Sequence, residues 1–444
     1  MRTPRNPFHF ILSFAFVVSL GLAAFPQAAV TNAAAQITEF DVNGMKVLLK
    51  RRPGTPTVAT GLFFRGGSQN LTADNAGIEN FTLKAATEAS KSYPRATLRK
   101  ETSRLGTVIT SGSNYDYSGL SMVSTREAFD TSWKMFVDVA LNPTFLPADV
   151  DRVRDGIVTN LKAQTDSPEG SLEALTQKTI YAGHAYANSP DGTIANVSKF
   201  SAADLASYHR KLALASRMLL VVVGDIEPDA LRRQITASFG SVPRGDYKNG
   251  GVQAVSFIQP TVDVAPKGVQ TDYVKGTFAA PPLGHADYYA MRTAITLLQT
   301  WVYQEVRVKR NLSYAPDAEM YGHASNTGAI SVSSVNPNEA VKVMLGEIKK
   351  LREQPVEEDA LASMAGFFLT THYLKQETNV AQAGELAQYE LVGGGWRNSL
   401  EFLDRMRRVK PAEIQAAANK YMRNLRFTVV GNPANVDKSI FLQN

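Results

Sequence analysis

At 444 residues, with 44% hydrophobic and 20% charged side chains, the chain is long enough to bury the cores of two or more domains. Its formal charge of +6 falls to +4 without residues 1–35, which hold Arg2 and Arg5 and no acid. That is too mild to argue for nucleic acid, and no Lys/Arg run with interleaved aromatics supports it. The absence of cysteine excludes disulfides, thiolate metal sites and lipid attachment at a lipobox.

Residues 1–35 have the three parts of a secretory signal: Arg2 and Arg5, an apolar run from Phe8 to Phe25, and small residues ending Ala33-Ala34-Ala35. Export to the periplasm or beyond is the reading. The run is also near the lower length limit of a membrane span, so a retained N-terminal anchor is the alternative. After cleavage no stable membrane association is expected. Asn43-Gly44, between alternating segments, predicts a hairpin, and a strand is expected from Pro56 to Arg65. Gly77 to Ser90 reads as helix, and Ser111 to Ser124 as one strand with alternating Tyr115, Tyr117 and Met122. The Tyr and Ser cluster at 113–118 then either lines a peptide groove or is a half-buried strand. Helices are expected at Thr125 to Leu141 and from Pro147 to Thr165, with Val221-Val222-Val223 as a buried strand.

Between Ser241 and Pro260 the pattern dissolves into Pro, Gly and polar residues. The resulting division is a signal at 1–35, a first domain at 36–245, a linker at 246–260 and a second domain at 261–444. In the second, a strand at Thr271 to Ala279 and a helix at His285 to Lys309 repeat the earlier order of strand, loop and helix. The fold class is therefore α+β, with two halves, each a sheet packed with helices. Six histidines at 9, 184, 209, 285, 323 and 372 include no pair at helical spacing, so each reads as a structural or surface residue. No G-x-S-x-G elbow or G-x-x-x-x-G-K-[ST] loop is present. The Gly393-Gly394-Gly395-Trp396 run reads as a hinge or helix terminus.

Gly61-Leu-Phe-Phe-Arg-Gly-Gly-Ser68 followed by Gly77-Ile-Glu-Asn-Phe-Thr-Leu-Lys84 resembles, in order and spacing, the zinc segment G-L-A-H-F-L-E-H of M16 (inverzincin) peptidases. The stretch from His184 to Thr193 resembles that family's H-P-Y-G-x-P-x-x-G-T, and Leu219 to Ile226 its strand ending in Gly-Asp. Asn80 and Lys84 stand at the two His positions and Leu83 at the Glu position. A protonated Lys has no lone pair and Leu can neither ligate nor accept a proton, so zinc is not expected here. The third ligand falls by register near Asn160 and Leu161, with Asp155 and Asp166 the nearest carboxylates. Glu79 and Glu88 read as solvated helix carboxylates, with a metal-ligand role as the other reading.

Trp301 to Tyr314 resembles the family's R-L-x-x-x-L-R-E-x-x-G-L-A-Y. The resemblance puts Arg310 and Tyr314 where such enzymes keep an Arg and a Tyr for substrate. The plainer reading is that Arg310 pairs with Glu305 or Glu319 and Tyr314 is half-buried in a strand. Leu297-Leu-Gln-Thr300 departs from the Gly-rich residues often found before the R-L pair, which argues against a Gly-loop substrate sensor. The family fold implied is a clamshell of two such halves around a chamber. The function implied is a non-catalytic subunit with no cofactor of its own. Zinc is expected in a separate H-x-x-E-H partner, to whose site Arg310 and Tyr314 are supplied, with peptide as substrate. A secreted peptide-binding or assembly protein is the main alternative, and an active metallopeptidase with unusual ligands the remaining one.

Overall fold

The computed structural model describes residues 34–443. The signal segment thus lies, but for its last two residues, outside the described residues. Strands Ile37–Val42 (β1) and Met45–Arg51 (β2) pair antiparallel through Asn43 and Gly44, whose φ values of 54° and 93° make the expected two-residue hairpin. There follow Thr57–Arg65 (β3), the helices Ile78–Ala86 (α1) and Arg95–Leu105 (α2), then Val108–Ser113 (β4) and Tyr117–Thr125 (β5). Helices Phe129–Leu141 (α3), Pro147–Asp166 (α4), Pro168–Ile180 (α5) and Ala202–Leu212 (α6) lead to Met218–Gly224 (β6) and Pro228–Phe239 (α7).

Beyond the irregular stretch 241–260 come Thr261–Pro266 (β7), Asp272–Ala279 (β8) and Tyr288–Val302 (α8), which runs on as a π-helix at Tyr303–Lys309. Asp317–Met320 (β9), Thr327–Ser334 (β10), Pro337–Glu353 (α9), Glu358–Lys375 (α10), Asn379–Val392 (α11), Pro411–Tyr421 (α12) and Arg426–Gly431 (β11) complete the main elements.

The first sheet runs β1-β2-β6-β3-β5-β4 and the second β7-β11-β8-β10-β9. In each, one neighbouring pair is parallel, β2 with β6 and β7 with β11, and the rest are antiparallel. The second sheet therefore repeats the first without β1, which is the duplication the order of elements suggested.

The all-apolar β6 is buried along its whole length because both its faces are covered. Leu220 and Val222 face a core with Phe81, Trp133, Phe136 and Phe239. Leu219, Val221 and Val223, with Leu48 and Ala59, instead meet Ala383, Leu386 and Ala387 of α11, and Trp396 beyond it. The reverse exchange is made by α5, which packs on β8 and β11 of the second sheet and joins it through a buried Thr176–Thr428 hydroxyl pair at 2.7 Å. Each half thus lends a helix to the other's sheet.

The stretch 111–124 is two strands rather than one. Asn114 Oδ1 accepts from the Asp116 and Tyr117 amides at 2.8 and 2.9 Å, which folds the chain back at 114–116. Tyr115 leaves the sheet pattern to pack 4.8 Å from Tyr186 and 5.4 Å from His323, in an aromatic cluster where the halves meet. Asp116, buried beneath it, accepts from Tyr186 Oη and the Ala324 amide.

Candidate functional site

Helix α1 begins after Gly77, whose φ of +91° an L side chain rarely adopts; a Cβ there would also lie 2.7 Å from the Gly192 Cα. Two segments far apart in sequence, 77–84 and 184–193, are thereby pressed together. Asn80, buried, donates from Nδ2 to Asp191 Oδ1 at 3.1 Å. Leu83 is buried in the first core and Lys84 is half-buried. Of the later residues, Asn160, Asp155 and Asp166 are exposed, and Leu161 packs against the core.

A side-chain amide turned as a donor, a hydrocarbon and an ammonium do not fit zinc, which asks for imidazole, thiolate or carboxylate donors. Among the described residues no group of three or more His, Cys, Asp or Glu could hold a metal ion.

Glu79 is not solvated. It is 2% exposed and accepts from Ser118 Oγ at 2.5 Å, Tyr208 Oη at 2.7 Å and Arg217 Nη2 at 2.8 Å. Arg217, equally buried, also donates from Nε to the Arg65 carbonyl at 2.9 Å. Burial works against the Arg217 charge, but the Glu79 carboxylate together with Tyr208 and Tyr247 holds the guanidinium pKa above its ordinary value. Burial, and after it the Glu79 charge, pushes the Tyr208 phenol up. Glu88 is half-buried and carries Arg95 at 2.7 Å and Arg99 at 3.3 Å. Both carboxylates are therefore ion-pair centres, neither solvated nor ligating.

The second candidate group lies past the π-helix. Arg310 pairs with the Glu305 carboxylate and donates to the Glu305 carbonyl at 3.1 Å, which is the plainer of the two arrangements expected for it. Hydrogen bonds from Lys309 and Arg310 hold the Glu305 carboxyl below its usual range. Tyr314 lies outside any strand and is 78% exposed. Its companion is Arg307, whose Cζ sits 3.8 Å from the Tyr314 ring centroid and whose Nη1 donates to the Tyr314 carbonyl at 2.7 Å. Tyr303 flanks the same guanidinium at 5.2 Å.

Asn311 turns the chain with φ +50°, and its amide bonds to the Arg307 carbonyl at 3.1 Å. It occupies the Gly position of G-L-A-Y, where a left-handed residue is required and Asn is the usual substitute. In that same register the Arg of R-E-x-x-G-L-A-Y falls on Arg307, seven residues before Tyr314, so the motif's spacing was the signal for Arg307. The structure brings Asn80 to Asp191 and Arg307 to Tyr314. None of the described contacts joins the two groups.

The five described histidines are dispersed. His184 accepts from the Tyr186 amide at 3.0 Å, His209 contacts the Ala140 carbonyl at 2.8 Å, and His285 lies 3.7 Å from Asp287. His323 lies 3.1 Å from Asp116, and His372 stacks on Phe402. Burial lowers the pKa of His209, which keeps it neutral.

Two family profiles match the chain: "Insulinase (Peptidase family M16)" at residues 46–193 and "Peptidase M16 inactive domain" at 199–365. The chain is 20% identical to zinc protease PqqE of Helicobacter pylori over 94% of this chain and 97% of that protein. It is 23% identical to cytochrome b-c1 complex subunit 1, mitochondrial, of Bos taurus, spanning 63% of this chain but only 58% of the bovine protein. A crystal structure described as the peptidase M16 inactive domain from Pseudomonas fluorescens superposes with a TM-score of 0.81 at 17% identity, covering 89% of this chain and 98% of that one.

Proposed function

We propose, from the premise that the chain belongs to the M16 peptidase family, that it is a non-catalytic, substrate-binding subunit of an exported zinc peptidase whose metal is carried by an H-x-x-E-H partner. The carrying observation is the contrast between the two groups. The metal helix has Asn80, Leu83 and Lys84 in place of donors, while an exposed Tyr314 and a half-buried Arg307 are braced against each other. Relatives described as a zinc protease and as an inactive M16 domain support both sides of that contrast. The two halves are clasped by their exchanged helices, so on this reading the peptide chamber is closed by a second chain.

The partner's zinc would supply the activated water. This chain's part is to hold the peptide and to place donors. Among the described residues the outer edge of β4 has no strand beyond it, and its residues alternate between exposed and half-buried, which suits main-chain pairing with an extended peptide. The Tyr314 hydroxyl would donate to the carbonyl oxygen as it gains charge. The guanidinium of Arg307 would hold a neighbouring carbonyl, and the Arg310–Glu305 pair would buttress the turn. Loss of one such donor costs about 3 kcal/mol in the barrier, roughly a hundredfold in rate.

The test is peptide hydrolysis with metal analysis on the mature chain alone and mixed with a co-encoded H-x-x-E-H protein. Activity in the mixture only, lowered about a hundredfold by Tyr314→Phe, is expected. Zinc and activity in the isolated chain would overturn the reading. A second reading, an exported assembly protein without proteolytic role, is favoured by one finding: a relative named as a subunit of the cytochrome b-c1 complex. It predicts no hydrolysis in the mixture.

A further inference from the structure

A cavity of about 710 Å³ in the second half lies between α8, α10, α11 and the edge strand β9, far in sequence from the metal helix. Its floor is all of Asp317 to Gly322, and its walls include Ile295, Phe368, Tyr389 and Phe402. Three observations say what it would take.

The first is a free strand edge. Among the described residues β9 pairs only with β10, with Met320 opposite Gly328, and the Tyr321 amide bonds to the Thr327 carbonyl at 3.0 Å. Alternation along an antiparallel ladder then turns the amide and carbonyl of Ala318 and Met320 away from β10. The Ala318 amide is met by the Asp317 carboxylate at 2.8 Å, which leaves the Met320 amide and both carbonyls for a further strand.

The second is an unmatched cation. Arg292, on α8, lines the cavity half-buried, and its side chain has no hydrogen bond or ion pair among the described residues.

The third is that the carboxylates sharing the cavity are already engaged. Asp317 accepts from Gln299 at 2.9 Å, and Glu319 accepts from Tyr321 at 2.6 Å and lies 3.4 Å from Lys275. Glu385 accepts from Gln376, and burial pushes its pKa up, toward the neutral form.

We infer that this cavity is a second peptide site, which takes an extended segment ending in a free C-terminal carboxylate. The segment adds to β9 as a sixth strand of the second sheet, and its carboxylate meets Arg292. The site is separate from the Tyr314 group and stands whether or not the subunit reading holds.

The test is fluorescence anisotropy on the full mature chain with a dye-labelled Val-Thr heptapeptide in three forms: free acid, C-terminal amide, and backbone N-methylated. The acid is expected to bind at least about tenfold more tightly than the amide, the scale of one charge-assisted hydrogen bond. N-methylation should weaken it by a similar factor. Arg292→Met should abolish the preference for acid while leaving amide binding intact, and Tyr314→Phe should change neither. Equal binding of acid and amide overturns the proposal, as does a preference that survives Arg292→Met or vanishes in Tyr314→Phe. Unweakened binding of the N-methylated peptide to the unaltered chain also overturns it, a result independent of whether any variant folds.

Discussion

Replacing Arg217 by methionine isolates what holds α1 against the sheet. In the folded protein the Glu79 carboxylate is 2% exposed and receives three donors, one of them the Arg217 guanidinium. Arg217→Met leaves a buried carboxylate with only the Ser118 and Tyr208 hydroxyls, and leaves the Arg65 carbonyl with only the longer bond from Asn70 at 3.3 Å. Removing one partner of a buried ion pair typically costs about 3–5 kcal/mol, a large share of the roughly 5–15 kcal/mol that holds a domain folded.

Urea unfolding followed by far-ultraviolet circular dichroism is the assay, with the expected loss appearing as a lower midpoint at unchanged slope. Glu79→Leu combined with Arg217→Met should recover about half the loss, because no charge then remains in the core. A loss under about 1 kcal/mol for Arg217→Met, or a double variant as unstable as the summed singles, would refute the view that charge pairing fixes α1 to the sheet.

Arg310→Ala should leave the activity of the mixed complex within about twofold, its pairing with Glu305 being a surface one, whereas Arg307→Ala should lower turnover by about a hundredfold. Steady-state hydrolysis separates the two, and equal losses would return the role to Arg310. Asn311→Ala should cost about 1–2 kcal/mol by thermal melting, while Asn311→Gly should be close to neutral, because φ is +50° there. His209 is buried with a lowered pKa, so below about pH 6.5 the unfolded chain takes up a proton that the folded chain refuses. Stability should therefore fall with acidity in that window, and His209→Gln should flatten the slope in pH-dependent melting. Thr176→Val should destabilise by about 1 kcal/mol, because the Thr428 hydroxyl then keeps only a 3.4 Å bond to the Lys275 carbonyl, and Thr428→Val by less, because the Thr176 hydroxyl keeps the Leu172 carbonyl at 2.8 Å; thermal melting of the two variants checks the order.

What sequence reading delivered was set by how local each signal is. Asn43-Gly44 dictates its own hairpin, because both residues take the left-handed conformation that the turn requires. The strand reading across 111–124 failed because alternating tyrosines outweighed the turn-forming Asn114, whose effect shows only when its side chain caps two amides. Glu79 was misread because its partner lies 138 residues away, and periodicity carries nothing across that distance. The motif's spacing points to Arg307 as well as to Arg310. The π-helix at Tyr303–Lys309 then widens the turn, so a regular helical wheel misplaces the side chains that follow.

The exchange of α5 and α11 has a consequence for biogenesis. A chain made from its N-terminus presents Leu48, Leu219, Val221 and Val223 as a bare apolar surface until residues 383–396 emerge to cover it. The first half cannot finish early and wait, since an uncovered sheet of that kind invites sticking to other chains. A cut in 241–260 after folding would leave two fragments still gripping each other. The same cut before folding would leave two that must meet by diffusion, which makes co-expressed halves a complementation system rather than a pair of separable domains.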